Sequence, residues 1–218
     1  LSNPSPGTYL NPQSDLVLTI SDINDDGPGS ASTAFSPTIL RDFGQGFVSQ
    51  LALRPDGDLV LAGDFTQVNS LARRDLARLN ADGSVDNGFR PETSLSGNVT
   101  ALALGSDESV LIGGGYFTAT NEFRRYGLVR LQASGSLDTN FDAGIEPGGE
   151  VNALARDRAG RWLVAGTFRE IGGTNRNGLA RLTAERAIDS SFNPVLAAAS
   201  GSPWVGWLAI GAGDRFFI

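Results

Sequence analysis

The segment 48–91 occurs three times in this chain, and that periodicity narrows the available folds more than any other feature. It reads VSQLALRPDGDLVLAGDF, a polar loop, then LARLNADGSVDNGFRP, and near-copies occupy 99–142 and 151–194. Superposing the copies aligns Leu51, Leu102 and Leu154, then Gly63, Gly114 and Gly166, then Phe65, Phe117 and Phe168. Further on it aligns Arg78, Arg130 and Arg181, then Asp86, Asp138 and Asp189, then Phe89, Phe141 and Phe192. The starts Val48, Val99 and Val151 lie 51 and 52 residues apart. Periods of this size mark propellers, solenoids and arrays, in which one supersecondary unit buries its apolar face only against its neighbours.

Within the first copy, Val48 to Leu53 is a near-continuous apolar run, the pattern of a strand covered on both faces. Arg54-Pro55-Asp56-Gly57 is a turn and Leu59 to Phe65 the returning strand, in which Gly63 marks a bulge or a close backbone approach. A polar loop, Thr66 to Asp75, leads to a third strand at Leu76 to Leu79, and a second turn leads to a short fourth segment ending at Phe89. The second copy carries Gly113-Gly114-Gly115-Tyr116, one residue longer than its counterparts, which predicts a local bulge. The third places its return strand at Trp162 to Phe168 and its third strand at Leu179 to Leu182.

Four short strands per unit with glycine and aromatic landmarks describe the blade of a β-propeller. The expected fold is all-β: an open arc of about three four-stranded blades, since closure needs at least about four. Partial units flank the full ones. GSASTAFSP at 29–37 matches GSVDNGFRP at 83–91, giving a partial unit over 29–47, and Leu208 to Ile210 with Phe216 to Ile218 overlay Leu51 to Leu53 and Leu59 to Leu61, giving another over 205–218. The chain contains no Met and stops on an apolar Phe-Phe-Ile edge, so it is expected to be a piece of a longer protein.

Composition excludes several function classes. A net charge of -7 disfavours polyanion partners, so no nucleic acid is expected. The absence of Cys and His removes disulfides, thiolate sites, and the commonest metal ligand and general base. The uncharged run after Val195 is broken by Ser200-Gly201-Ser202-Pro203 and fits the repeat register, so no membrane span is expected.

The segment 1–26 is unlike the repeats. A turn rich in Asn, Pro and Gly precedes an alternating strand, Leu16 to Ile20, too short to be a domain and expected to complete a sheet whose other strands lie upstream. Asp22, Asn24, Asp26 and Gly27 then follow the spacing D-x-N-x-D-G, which presents oxygens toward one centre, although Thr33 stands where an EF-hand would need its bidentate Glu. Two readings stay open for this stretch, a solvated turn or linker and a calcium site in the intact protein.

Two family resemblances rest on these residues. LSNPSPGTYLNPQSDLVLTISDINDD resembles the C-terminal end of a Calx-beta domain, an immunoglobulin-like sandwich of extracellular and membrane-attached proteins. That resemblance implies a sandwich remnant over 1–26, with Asp22, Asp25 and Asp26 as the positions matching its calcium-binding acids. The remainder, 27–218, resembles the delta-60 repeats of bacterial β-propellers, whose pattern runs V-x-A-L-A-x-x-x-D-G-x-x-L-x-G-x-F, then R-L-x-x-x-G-x-x-D-x-x-F. It implies a large secreted or cell-surface bacterial protein without an established enzymatic role. Glu108 and Arg186 depart from the two turn glycines and Arg156 from an apolar strand position, which is expected to weaken those turns.

Because every blade repeats them, Arg78, Arg130 and Arg181 with Asp86, Asp138 and Asp189 are expected to be structural, each Arg fork held between blades by a carboxylate and turn carbonyls. Arg73, Arg125 and Arg176 are register-matched in the loop and are given a structural role as well. Trp204 and Trp207 are expected in the core. The residues unique to one blade, Tyr116, Glu122, Phe123 and Tyr126, are the binding candidates, able to grip a sugar or peptide.

No G-x-S-x-G elbow occurs, and Gly113-Gly114-Gly115 lacks a following helix or Lys for phosphates. The expected function is therefore a non-enzymatic adhesion or ligand- and protein-binding scaffold, with protein or carbohydrate partners. Two alternatives are an architectural spacer with Ca2+ at the sandwich–propeller junction and, further off, a propeller enzyme acting on polysaccharide.

Overall fold

A computed structural model describes residues 16–17, 35, 37–42, 44–91, 99–118, 124–196, 204–211 and 215–218. All regular structure among them is β-strand. The strands are β1 (Leu16–Val17), β2 (Thr38–Arg41), β3 (Gly44–Gln45), β4 (Phe47–Leu53), β5 (Leu59–Asp64), β6 (Gln67–Val68), β7 (Leu71–Ala72) and β8 (Leu76–Leu79). They continue as β9 (Val99–Leu104), β10 (Val110–Thr118), β11 (Arg124–Leu131), β12 (Val151–Arg156), β13 (Trp162–Gly166), β14 (Glu170–Ile171), β15 (Thr174–Asn175), β16 (Leu179–Leu182), β17 (Ala209–Ile210) and β18 (Phe216–Phe217).

Each full unit forms one antiparallel sheet, ordered β4-β5-β8, β9-β10-β11 and β12-β13-β16. The expected fourth strand is reduced to a single bridge in every unit: Leu79 to Val85, Leu131 to Leu137, Leu182 to Ile188. The reason is local. Asp86 Oδ1 accepts from the Gly88 amide, and Asp138 and Asp189 accept from Asn140 and Ser191 in the same way, so an Asx turn captures the chain just past the bridge. The loop after β5 is more ordered than its polarity suggested, since β6 and β7 make a small hairpin and β6 pairs with β2.

The cores lie between the sheets, not inside any one unit. Along β5, Leu59 and Leu61 face a first core with Phe35, Ile39 and Phe65. Val60 and Ala62 face the opposite way, into a second core with Phe89, Val110, Ile112 and Phe117. Leu111 of β10 enters a third with Phe141, Trp162, Val164 and Phe168, and Ala165 of β13 a fourth with Val205 and Phe192. The recurring phenylalanines are thereby explained: the second and third cores each take one ring from the end of the preceding unit and one from the middle of the following unit. Burying a ring of that size contributes about 1.5–3 kcal/mol, so the seam and the repeat specify each other.

Gly63 and Gly166 sit where a Cβ would run into the carbonyl oxygens of Phe47 and Glu150, so the predicted close backbone approach is present. The bulge expected at Gly113–Tyr116 is present too, as a register shift against β11.

Three expectations are corrected. First, β4 is not covered on both faces: Phe47, Leu51 and Leu53 are 54%, 46% and 66% exposed, because no described sheet lies on the side where Leu102 and Leu104 meet the preceding unit. Second, Trp204 and Trp207 are 66% and 59% exposed. Val205 and Leu208 pack into the fourth core, while the two indoles lie outside it with no described sheet to cover them. Third, Leu16 and Val17 pair with Ile39 and Thr38, so this part of the 1–26 segment lies against the repeat array.

Candidate functional site

Two of the binding candidates, Tyr116 and Tyr126, lie where the second unit's sheet extends beyond its bulge. There β10 and β11 run on together past the bulge, pairing Tyr116 with Tyr126, Phe117 with Arg125 and Thr118 with Arg124. The rings of Tyr116 and Tyr126 stand 5.1 Å apart with a tilt of 42°, within the range of a favourable aromatic pair. Tyr126 also leans on the core between the second and third units. Both rings are half-buried and Arg124 beside them is exposed. The other two candidates, Glu122 and Phe123, fall outside the described residues, as do Asp22, Asn24, Asp25 and Asp26 with the calcium expectation.

The repeated charges are engaged structurally. Arg78 Nε donates to Asp86 Oδ2 at 2.5 Å, Arg181 Nε to Asp189 Oδ2 at 2.8 Å, and Arg130 pairs with Asp138. The guanidiniums of Arg78 and Arg181 also lie over the rings of Phe89 and Phe192, at 5.0 and 4.6 Å. Among the described residues only Arg78 adds the expected turn carbonyl of the neighbouring unit, Ala133 O at 3.1 Å; Arg130 reaches Asp107 of its own unit instead. The loop arginines tie their loops to the segment around each phenylalanine, Arg73 to Asn87, Arg125 to Asp142 and Arg176 to Asn193.

The departures from the repeat pattern, expected to weaken turns, make new ties instead. All three converge on the turn Ser106-Asp107-Glu108. Glu108 accepts from Arg54 Nη2 at 3.3 Å, Ser106 accepts from Arg156 Nη2 at 3.0 Å, and Asp107 accepts from Arg186 Nη2 at 2.8 Å and from Arg130 Nη2 at 2.5 Å. Desolvation works to raise the pKa of Asp107, but the Ser109 hydroxyl and Arg130 outweigh it and hold the carboxyl at about 2. Glu108 and Arg186 have φ of 63° and 70°, the left-handed conformation that Gly57 and Gly83 hold in the first unit.

One set of residues was not singled out from the sequence. The residue after the first valine of each unit sends its side chain to the next unit: Ser49 Oγ donates to Val99 O at 3.1 Å, Thr100 Oγ1 to Val151 O at 2.5 Å, and Asn152 Nδ2 to Val205 O at 3.4 Å. The signal was available as a register-matched polar residue in each apolar strand.

No curated protein matches the chain. Among solved structures, it resembles the extracellular domain of a protein described as a one-component system from B. thetaiotaomicron, at 13% identity and a TM-score of 0.46, over 78% of this chain and 20% of that one. It also resembles PorZ, a surface component of the type-IX secretion system of Porphyromonas gingivalis, at 13% identity and a TM-score of 0.36, over 65% of this chain and 20% of that one. The chain spans about a fifth of both. Among the described residues no helix is long and apolar enough to cross a membrane. Residues 54–89, 110–141 and 160–192 match the family model described as a β-propeller domain of unknown function, DUF5122. Each segment falls within one of the three units defined by the sheets, taking in its second and third strands but not its first, and the three fit a bacterial β-propeller repeat family.

Proposed function

We propose that this chain is part of a non-enzymatic bacterial scaffold, secreted or held at the cell surface, whose propeller binds protein or carbohydrate. One observation carries this reading. The charged groups that every unit repeats are taken up in ties within and between sheets, whereas the one aromatic pair among the described residues outside that pattern, Tyr116 with Tyr126, stands on an extension of the second unit's sheet beyond its bulge. Tilted, half-buried tyrosines offer stacking area and hydroxyls at low conformational cost, which suits a sugar ring or a peptide. The resemblance to delta-60 repeats and to a Calx-beta end supports the extracellular setting. The test is a glycan and peptide array probed with this chain and with Tyr116→Ala and Tyr126→Ala. Binding lost in both variants, with unchanged melting temperature, supports the reading. Equal binding by all three proteins, or release of reducing sugar from a polysaccharide, overturns it.

A further inference from the structure

Each seam joins two faces of opposite kind. The forward face comes from the first two strands of a unit, with Ala52 of β4 and Val60 of β5 in the first unit and Ala103 of β9 and Leu111 of β10 in the second. The backward face of the following unit brings the alternate residues of its first strand, Leu102 and Leu104 of β9 at one seam and Leu154 of β12 at the next. Side chains alternate along a strand, so one unit carries both faces at once.

Among the described residues one face of each kind is left without its counterpart. Leu51 and Leu53 of β4 hold the register of Leu102 and Leu104, yet they are exposed. At the other end β17 and β18 pair Ala209 with Phe217, the same register that pairs Ala52 with Val60. Ala209 is exposed and Phe217 is 55% exposed. Trp207, also exposed, stands two residues before Ala209, where the earlier units bury Ala101 and Ala153. Large apolar side chains gathered in the open mark an interaction surface.

The seam ahead of the first unit is moreover half built. Phe35 meets Phe65 there, as Phe89 meets Phe117 one seam later. What this seam lacks among the described residues is the pair of strands that bears a forward face, and β17 with β18 are such a pair. Within one chain the two free faces lie at opposite ends of the array, three seams apart, and both stay uncovered.

The geometry points to a second copy of this chain as the occupant. Phe217 and Trp207 of one copy lie against Leu51 and Leu53 of the other, continuing the seam that the array already uses three times. A contact between unlike faces closes into a ring or runs on as a filament. Two copies bring about eight units, within the ~4–8 blades of closed propellers, so the ring is a dimer with two identical seams. The contact is separate from the tyrosine pair and does not depend on it.

The test is sedimentation velocity on this chain between about 1 and 100 μM, which spans micromolar dissociation constants. A dimer is expected. Leu53→Arg spoils the backward face and Phe217→Arg the forward face, since an arginine cannot be buried unpaired in an apolar seam. Both side chains are exposed in the single chain, so each variant folds, as circular dichroism would verify. Each alone should dissociate at least about tenfold more readily. Mixed in equal amounts they should associate again, because one intact forward face then meets one intact backward face. Leu71→Arg, on the loop hairpin, should behave as the parent. A monomer at every concentration means that another protein or a further unit covers these faces, and overturns the proposal. So does a mixture that stays monomeric, or dissociation by Leu71→Arg as well. Polymers that lengthen with concentration overturn closure into a dimer.

Discussion

Arg186 Nη2 lies 2.8 Å from Asp107 Oδ2, joining residues 79 apart in sequence across the seam between two units. The arginine holds a left-handed backbone conformation that its counterparts reserve for glycine. A side chain there costs roughly 1–2 kcal/mol, while an ion pair at an exposed seam returns about 0–1 kcal/mol. The contact therefore does not repay its conformation in stability.

The same opposition at Glu108, which pairs with Arg54 at φ 63°, gives a test. Glu108→Ala keeps the strained backbone and loses the pair, so it should be less stable by up to about 1 kcal/mol. Glu108→Gly relieves the backbone and should equal or exceed the parent. Urea denaturation of the three proteins checks the order; a glycine variant weaker than the alanine one would contradict it.

The inner-strand ladder makes Thr100 more than a β-former. Thr100→Val keeps the shape but leaves the Val151 carbonyl without its side-chain donor, and should cost about 1 kcal/mol. Thr100→Ser should retain most of the stability, as measured by thermal unfolding.

Several carboxylates are held below their ordinary range, Asp86, Asp107 and Asp189 among them. Asp189 is held at about 2 by the Ser191 hydroxyl and then Arg181, and Asp107 also lies at about 2. In Asp86 desolvation opposes the shift, but the Gly88 amide and Arg78 bring it down. A depressed folded-state pKa means the unfolded chain takes up protons first as pH falls. The contribution of Asp107 and Asp189 is thus fully present above about pH 4 and is lost toward pH 2, and that of Asp86 is lost in the same direction. Melting temperatures across that window should fall, less steeply for Asp107→Asn.

Asp75 acts with the opposite sign. Burial, reinforced by Asp64 against Arg74 and Arg41, raises its pKa, so its charged form is disfavoured in the fold. It has φ 63° where Gly127 and Gly178 follow in the later units. Asp75→Asn keeps a residue tolerant of that conformation and removes the charge. The variant should melt higher at pH 7, and the gap should close at pH 3, where the parent carboxyl is protonated in both states.

The blade pattern was legible because the core lies between units: each seam needs the same leucines, glycines and phenylalanines, so periodicity and packing are one signal. Arg78 with Asp86 was legible for the same reason. Coverage at the ends was not. Leu51 read as covered because it shares its register with Leu102 and Leu154, which pack on a core, and Trp207 because large aromatics are usually buried, but coverage depends on a neighbouring sheet that no residue of the same unit supplies. The roles of Glu108, Arg156 and Arg186 were also hidden, since their common partner, the turn 106–108, is close only after the sheets stack. For the candidate site, the bulge at Gly113 announced an irregular extension, yet the meeting of Tyr116 with Tyr126 follows from a register shift that sequence alone does not fix.

Placing every core at a boundary also constrains how such a chain can grow or shrink. Gain or loss of one full period leaves each apolar face with a partner of matching shape, whereas a cut within a period would set mismatched faces against each other. Lengthening by whole-unit duplication is then the low-cost evolutionary step, and variation is channelled into the turns, where a glycine can be exchanged for a charge without disturbing the stack.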